Sequence, residues 1–345
     1  MTQQQRADAA PPVTGRTMRA AVAHRFGGPE VVEVESVPRP RAGSGEVLIR
    51  MYASTVSIAD HRIRAKDLPR GLGFLAIVAL GVFRPRKRIL GMEGAGVIEA
   101  VGADVTAFGP GDRVIIQRGS AMGCHAEYVT MSAAGSIARI PDGLTFEDAA
   151  ALVFGGYTAL SFLEQVSLDP GVEVLVNGAS GAVGSAAVQL AAGAGARVTA
   201  VCSARNGALV RSLGAARVID YAQEDFAAGD DRYDVIVECV GNAPFRRVRR
   251  ILNPGGSLLL VIADLRSMLS ERGQSRRSGM RVTHSGTAFG PPVLQDLVAR
   301  AAAGAIRPVI DRTYDLDDIV EAHRYVDTGR KRGSVVLRIA AEPLR

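Results

Sequence analysis

Two rhythms of apolar and polar positions divide the chain. From Met18 to about Asp142, short runs of β-forming residues follow one another: Arg19–His24, Val31–Val37, Val47–Ala53, Ala95–Val101 and Arg113–Ile116. Glycine and proline clusters separate them, at Gly27-Gly28-Pro29, Gly43-Ser44-Gly45 and Gly109-Pro110-Gly111-Asp112. Short strands between turn residues predict a mostly antiparallel, barrel-like domain.

From about Leu144 to Gly290 strands alternate with helices. Val172–Asn177 is a continuous apolar strand, the pattern of a strand covered on both sheet faces. Helix Ala182–Ala194, strand Arg197–Cys202, helix Gly207–Leu213, strand Arg217–Ile219 and strand Tyr233–Val237 follow. Helix Phe245–Leu252 and strand Ser257–Ile262 continue the series. Such alternation needs right-handed crossovers and a doubly wound parallel sheet. The last segment returns to a helix over Leu316–Thr328 and a strand over Ser334–Ile339, and its expected place is back with the first domain.

Strand Val172–Asn177 leads straight into Gly178-Ala179-Ser180-Gly181-Ala182-Val183-Gly184 and then the Ala-rich helix. Glycines there let the backbone turn sharply and approach a pyrophosphate, while the helix N-terminus offers free N–H groups and the positive end of its dipole. Placed between strand and helix inside a βαβ unit, the triplet is a strong dinucleotide signal. The end of the next strand selects the cofactor. An NAD site puts Asp or Glu there for the ribose hydroxyls. This chain has Val201-Cys202-Ser203-Ala204-Arg205-Asn206, with no acid. Ser203 and Arg205 suit a 2′-phosphate, and Asn206 adds a donor or caps the following helix. The expected cofactor is NADPH.

With 345 residues, 47% hydrophobic and 22% charged, the chain is long enough for two domains with cores of their own. Its formal charge of +6 favours a phosphate-bearing ligand without implying nucleic acid. Three cysteines, Cys124, Cys202 and Cys239, carry no CxxC spacing, which excludes a disulfide framework and a four-cysteine zinc site. Residues 1–17 are polar and read as a disordered leader. The longest apolar run, Leu72–Phe83, is about half the length that spans a bilayer, so no transmembrane segment is expected. The basic stretch Arg84–Arg88 behind it raises a membrane-surface role, against which a short buried helix is the plainer reading. The expected compartment is the cytoplasm.

These stretches complete a wider pattern. Together with Leu90-Gly91-Met92-Glu93-Gly94-Ala95-Gly96-Val97, Gly111-Asp112-Arg113-Val114, Ala126-Glu127-Tyr128-Val129, Val240-Gly241 and Gly329–Leu337, the chain resembles the medium-chain dehydrogenase/reductase superfamily, zinc-independent quinone oxidoreductase-like branch, from about Met18 to Ile339. The resemblance implies an α/β protein with a GroES-like, mostly-β catalytic domain over residues 18–143 and 290–345. It implies a doubly wound Rossmann NADP-binding domain over 144–289, a cleft between the two, and a homodimer. It further implies cofactor contacts at Thr158, Gly178, Ala179, Ser180, Gly181, Ala182, Val183, Ser203, Arg205, Asn206, Tyr221, Val240 and Ile262.

The metal-dependent members hold zinc with a Cys, a His and a second Cys. The matching positions here are Ser57, Met92 and Phe154, which cannot take those roles. Adjacent residues of one strand face opposite ways, so Cys124-His125 makes no metal site either. No metal is expected. The family's enoyl thioester reductases often carry a tyrosine near Ser57–Arg62 and its quinone reductases an Asn where Ser57 stands; a lysine often seen at 334 is Ser334.

Without a metal to polarise it, the acceptor must delocalise charge itself. The expected reaction is hydride transfer from NADPH to the conjugated double bond of an apolar enone or quinone, with Ser57, His61 and Arg62 as catalytic candidates to hydrogen-bond the developing enolate oxygen. Two alternatives stand beside it. One is an enoyl thioester reductase of a biosynthetic pathway. The other is a non-catalytic structural or nucleic-acid-binding protein that holds NADPH, suggested by the basic runs Arg84–Arg88 and Arg246–Arg250. Those runs lack interleaved aromatics, which argues against nucleic acid.

Overall fold

Two large sheets and a two-stranded ribbon organise residues 16–73, 80–287 and 290–341, which this computed structural model describes. The first part of the chain supplies β1 (Thr17–Ala23), β2 (Val32–Pro38), β3 (Glu46–Val56), helix α1 (Ile58–Ala65), β4 (Glu93–Val101), β5 (Arg113–Gln117), β6 (Tyr128–Ser132) and β7 (Ser136–Arg139). Helices α2 (Phe146–Leu152) and α3 (Thr158–Leu163) come next, joined by a wide π turn over Val153–Tyr157. The middle part supplies β8 (Glu173–Asn177), α4 (Ala182–Gly193), β9 (Arg197–Cys202), α5 (Gly207–Ser212), β10 (Arg217–Asp220) and β11 (Tyr233–Glu238). It continues with α6 (Phe245–Val248), β12 (Leu252–Leu260), α7 (Leu265–Ser278) and β13 (Arg281–Thr283). The chain ends through α8 (Pro291–Ala302), β14 (Ile310–Asp315), α9 (Ile319–Asp327) and β15 (Ser334–Arg338).

In the middle sheet the strands run in the order β10-β9-β8-β11-β12-β13, and every pair is parallel. This is the doubly wound order whose direction reverses between β8 and β11, the point at which such sheets bind dinucleotides. Leu175, Val176, Val201, Ile236 and Leu259 are fully buried on its two faces, which is why these strands read as unbroken apolar runs. The other sheet runs β14-β15-β3-β4-β5-β7, with β6 also paired to β3. Its pairs are antiparallel except β14 with β15. Val335 lies opposite Val56 and Gly94 opposite Ser54, so the last strand completes the sheet begun by the first part of the chain.

Local differences from the sequence pattern have physical reasons. Helices α2 and α3 were not legible as an amphipathic stripe because, past the half-buried Glu147 and Asp148, Ala149, Ala150, Ala151 and Leu152 are all buried in α2, as are Ala159, Leu160, Phe162 and Leu163 in α3. The helix expected over Phe245–Leu252 gives way to a tight turn at Arg249–Ile251, and Leu252 already opens β12, which ends before Ile262. Thr17, assigned to the leader, opens β1; the rest of the leader other than Arg16 lies outside the described residues.

Candidate active site between the sheets

The C-terminal edge of the parallel sheet gathers the expected cofactor residues. After β8, Gly178 takes φ +79°, and a Cβ at Gly184 would overlap the Gly178 carbonyl oxygen. Only glycine fits either position. Gly181 precedes α4 without a side-chain cap, so the N–H groups at Ala182 and Val183 are left for a ligand. Ala179 is buried beneath the turn, and Ser180 Oγ accepts from Asn206 Nδ2 at 2.9 Å. Asn206 Oδ1 is buried without a partner, an acceptor waiting for a donor.

Ser203 and Arg205 stand after β9, Tyr221 after β10 with 63% of its surface exposed, Val240 after β11 and Ile262 after β12. Thr158 begins α3, half-buried and away from this edge in the chain. Arg205 Nη2 donates to the Arg330 carbonyl at 3.2 Å, and Arg205, Arg312, Tyr325, Thr328 and Arg330 enclose a basic hollow of about 410 Å³. Arg312 and Arg330 were invisible to local pattern because they approach from more than a hundred residues away. The chain is tied across here, Gly333 N–H donating to the Ser180 carbonyl at 2.8 Å. Beside it lies Lys331, another residue the pattern did not single out. Its Nζ donates to the Gly333 carbonyl at 2.7 Å, and burial pulls the amine down to about 8.

Between the sheets lies a cavity of about 520 Å³. Val240, Gly241 and Ile262 line it from the cofactor side, and Arg62, Leu68 and Pro69 from the opposite side. The three catalytic candidates part company at this point. Arg62 faces the cavity, and burial pulls its guanidinium below the usual value while Asp67 pulls the other way. Ser57 is buried and caps α1: its Oγ donates to Asp60 Oδ2 at 2.6 Å. His61 turns to α9, its Nδ1 2.7 Å from Asp327 Oδ1. Asp327 also receives the buried Arg64 guanidinium on both oxygens, at 2.7 and 2.6 Å, while Arg64 Nη1 donates to the Gly27 carbonyl at 2.6 Å.

Behind Ser57 lies a buried polar group. Glu93 accepts from Thr55 Oγ1, and its second oxygen has no partner. Burial pushes this carboxyl up to about 8, with Asp60 adding to the effect. Cys124 and His125 lie in a loop rather than a strand, which replaces the opposite-faces argument with a direct one. His125 Nε2 donates to the Thr55 carbonyl at 2.9 Å, and burial pushes the Cys124 thiol far up.

Comparison with known proteins agrees with this geometry. The profile of the alcohol dehydrogenase GroES-like domain matches residues 43–142, and that of the zinc-binding dehydrogenases matches residues 213–337. A chloroplastic quinone oxidoreductase of Triphysaria versicolor is 31% identical over 94% of this chain and 99% of its own. The 2-methylene-furan-3-one reductase of Solanum lycopersicum is 30% identical over 90% of this chain and 76% of its own. The structure of the quinone oxidoreductase from Coxiella burnetii superposes with a TM-score of 0.83 at 27% identity, covering 94% of this chain and all (100%) of that one. The zinc named by the second profile does not fit the residues present. Ser57 is engaged with Asp60, Met92 and Phe154 offer no anionic or imidazole ligand, and among the described residues no three His, Cys, Asp or Glu side chains gather around one point. The dinucleotide does fit, since the glycine turn, the open N-terminus of α4 and the unpaired Asn206 oxygen are the features such a ligand uses.

Proposed function

The chain belongs to the medium-chain dehydrogenase/reductase superfamily, in its quinone oxidoreductase-like branch, and on that premise we propose that it uses NADPH to reduce the conjugated double bond of an enone, or a quinone ring, in the cavity between its sheets. It is a nicotinamide-dependent oxidoreductase. The observation that carries the finer reading is the joint lining of that cavity: Val240, Gly241 and Ile262 from the cofactor side face Arg62, Leu68 and Pro69.

The bound cofactor supplies hydride. The chain's own residues then do three things. Val240 and Ile262 back one wall, leaving the acceptor the space in front of them. Leu68, Pro69 and Leu260 give that space an apolar part that displaces water from the reacting carbon. Arg62 is the cation positioned to meet negative charge as it builds on the acceptor's oxygen. Support for NADPH over NADH is the hollow formed by Arg205, Arg312 and Arg330, together with the missing acid after β9.

The nucleic-acid reading loses ground to the basic run Arg246–Arg250. Arg247 pairs with Asp225 at 2.8 Å and Arg250 donates to the Ala228 carbonyl, so part of that charge is structural. The oxidoreductase reading carries a cytoplasmic homodimer, with β13 as one of the two edges of the parallel sheet. Among the described residues no helix is long and apolar enough to cross a membrane.

The decisive assay follows NADPH consumption against quinones, alkyl enones and enoyl thioesters. Reduction of the first two classes supports the proposal, reduction of thioesters alone moves it to an enoyl thioester reductase, and no turnover of any class sinks it.

A further inference from the structure

Among the described residues five large hydrophobics are exposed: Val82, Phe83, Tyr221, Val240 and Leu269. Tyr221 and Val240 stand at the cofactor edge and Leu269 on α7, whereas Val82 and Phe83 are neighbours in one loop, 55% and 88% exposed. Neither faces the substrate cavity.

Three backbone ties hold this pair out from the surface. Lys66, just past α1, donates from Nζ to the Gly81 carbonyl at 3.1 Å and to the Val82 carbonyl at 3.0 Å. Arg86 N–H donates to the Leu80 carbonyl at 2.9 Å and closes the turn. Gly81 makes that turn possible, with φ +111° and no room for a Cβ beside the Arg84 carbonyl oxygen. Ala23 N–H donates to the Arg88 carbonyl at 2.8 Å and fastens the far end to β1. A loop tied at these points presents its apolar tip instead of folding it inward.

Four cations follow the tip. Arg84, Arg86, Lys87 and Arg88 are all exposed, and none has a hydrogen bond or ion pair to a described residue. The chain holds no acidic residue between Asp67 and Glu93. The carboxylates of the neighbouring ribbon, Glu33 and Glu35, are on β2, with β1 between them and this loop, and Glu35 is paired with His24.

Apolar side chains beside free cations narrow the choice of occupant. A second copy in a symmetric contact would bring the same four cations face to face. Single-stranded nucleic acid stacks on several rings, and here it would find only Phe83 and leave Val82 in water. An anionic bilayer meets both needs, because its headgroup boundary takes the apolar tip and its phosphates take the cations. We propose that residues 80–88 dock this protein on an anionic lipid surface, with Val82 and Phe83 entering the interface and Arg84, Arg86, Lys87 and Arg88 holding the headgroups. Docking of this kind is independent of which acceptor the cleft reduces.

Co-sedimentation of the full chain with phosphatidylcholine vesicles, with and without phosphatidylserine, tests it. Binding is expected to be at least about tenfold tighter when phosphatidylserine is present and to weaken as salt is added. Arg84→Glu with Lys87→Glu weakens it at least about tenfold, since each basic side chain near such a surface contributes about fivefold. Phe83→Ser weakens it about tenfold and keeps the salt dependence, the mark of a lost apolar contact. Arg246→Glu with Arg249→Glu makes the same change in net charge on the parallel-sheet domain and leaves binding intact. Every variant keeps the parent's Tm, because the replaced side chains are exposed. Equal binding to the two kinds of vesicle overturns the proposal, as does an equal loss in both double variants, which would mean diffuse charge attraction. Binding to a single-stranded oligonucleotide but not to vesicles overturns it too. So does a dimer that dissociates in Phe83→Ser without lipid, since the loop would then be a subunit contact.

Discussion

The Ser57 hydroxyl donates to Asp60 Oδ2 at 2.6 Å and accepts from the Asp60 backbone N–H at 3.4 Å, a reciprocal cap on α1. Asp60 also takes the Ser57 N–H at 2.8 Å and the Gly91 N–H at 2.9 Å, so one buried carboxylate ties the start of α1 to the loop that leads into β4. A hydroxyl held this way supports structure before chemistry. Ser57→Ala is expected to lower unfolding stability by about 1 kcal/mol, the usual cost of losing an N-cap, and to change kcat by no more than a few-fold. Urea unfolding and steady-state kinetics on the same preparation check both; a large loss of kcat at unchanged stability would return Ser57 to catalysis.

The same pair bears on metal. With Ser57 bound to Asp60 and Met92 and Phe154 at the other two positions, purified protein is expected to contain no stoichiometric zinc, and chelators to leave its activity unchanged. Elemental analysis decides; one tightly held equivalent would refute the assignment.

Cofactor preference follows from the hollow of Arg205, Arg312 and Arg330. NADPH is expected to bind at least about tenfold more tightly than NADH, since charge-assisted bonds to a phosphate contribute on the order of 1.5–3 kcal/mol. Arg205→Ala and Arg330→Ala each remove much of the difference and barely move NADH. Fluorescence titration reads both constants, and equal affinities in the parent protein would end the argument.

Glu93 gives stability a pH dependence of defined sign. Its ionisation rises from 4.5 to about 8 on folding, so the folded state holds the proton more tightly. The stabilisation is complete below the unfolded value and is lost as pH rises through the folded one, with a slope of about 1.4 kcal/mol per pH unit between them. Lys331 is shifted from 10.5 to about 8, the opposite direction, so its contribution is present above 10.5 and lost as pH falls towards 8. Between about pH 5 and 7.5 Lys331 adds nothing to the slope, whereas burial lowers His323, whose contribution is lost as pH falls below its usual value, and raises Glu238, which acts in the same direction as Glu93. Glu93→Gln is therefore expected to make thermal stability fall less steeply as pH rises across that window, measured as Tm against pH. An unchanged slope would show that the carboxyl is ionised in the folded protein.

What could be read from sequence depended on whether a contact is local. The turn Gly178–Gly184 was legible because its requirements are those of single residues between a strand and a helix, and the missing acid after β9 likewise. The parallel sheet was legible from the alternation of strands and helices and from apolar cores of strands such as Val174–Val176. Helices α2 and α3 were not, because burial on every side erases the stripe that marks a surface helix. Arg62 could be named as a candidate, and Asp60 three positions after Ser57 is a local cap that the sequence shows, but nothing in Ser57–Arg62 told that His61 would turn to Asp327, 266 positions away. Arg330 and Lys331 escaped for the same reason: their neighbours Ser180, Arg205 and Glu93 are distant in the chain.

The apolar segment Leu68–Phe83 lies in the chain between Ser57–Arg62 and Gly91–Gly96, and its two ends behave differently. Leu68 and Pro69 line the cavity, Leu72 and Leu80 are half-buried, and Phe83 is 88% exposed; Phe74, Leu75, Ile77 and Val78 lie outside the described residues. Contact with substrate therefore falls to the Leu68 end. Each methylene moved from water onto Leu68, Pro69 and Leu260 contributes up to about 0.8 kcal/mol, or about fourfold in kcat/KM. The rate constant is expected to climb as an enone's alkyl chain lengthens and to level off once the chain fills the part of the roughly 520 Å³ cavity that the bound cofactor leaves open. Leu68→Ala should weaken the climb, because it removes apolar surface from the wall while leaving Arg62 in place. Phe83→Ala should leave the trend intact, since a ring this exposed gives the substrate no enclosed wall. A flat dependence on chain length in the parent protein, with Leu68→Ala stable and unchanged, would show that the segment serves the fold and not the substrate.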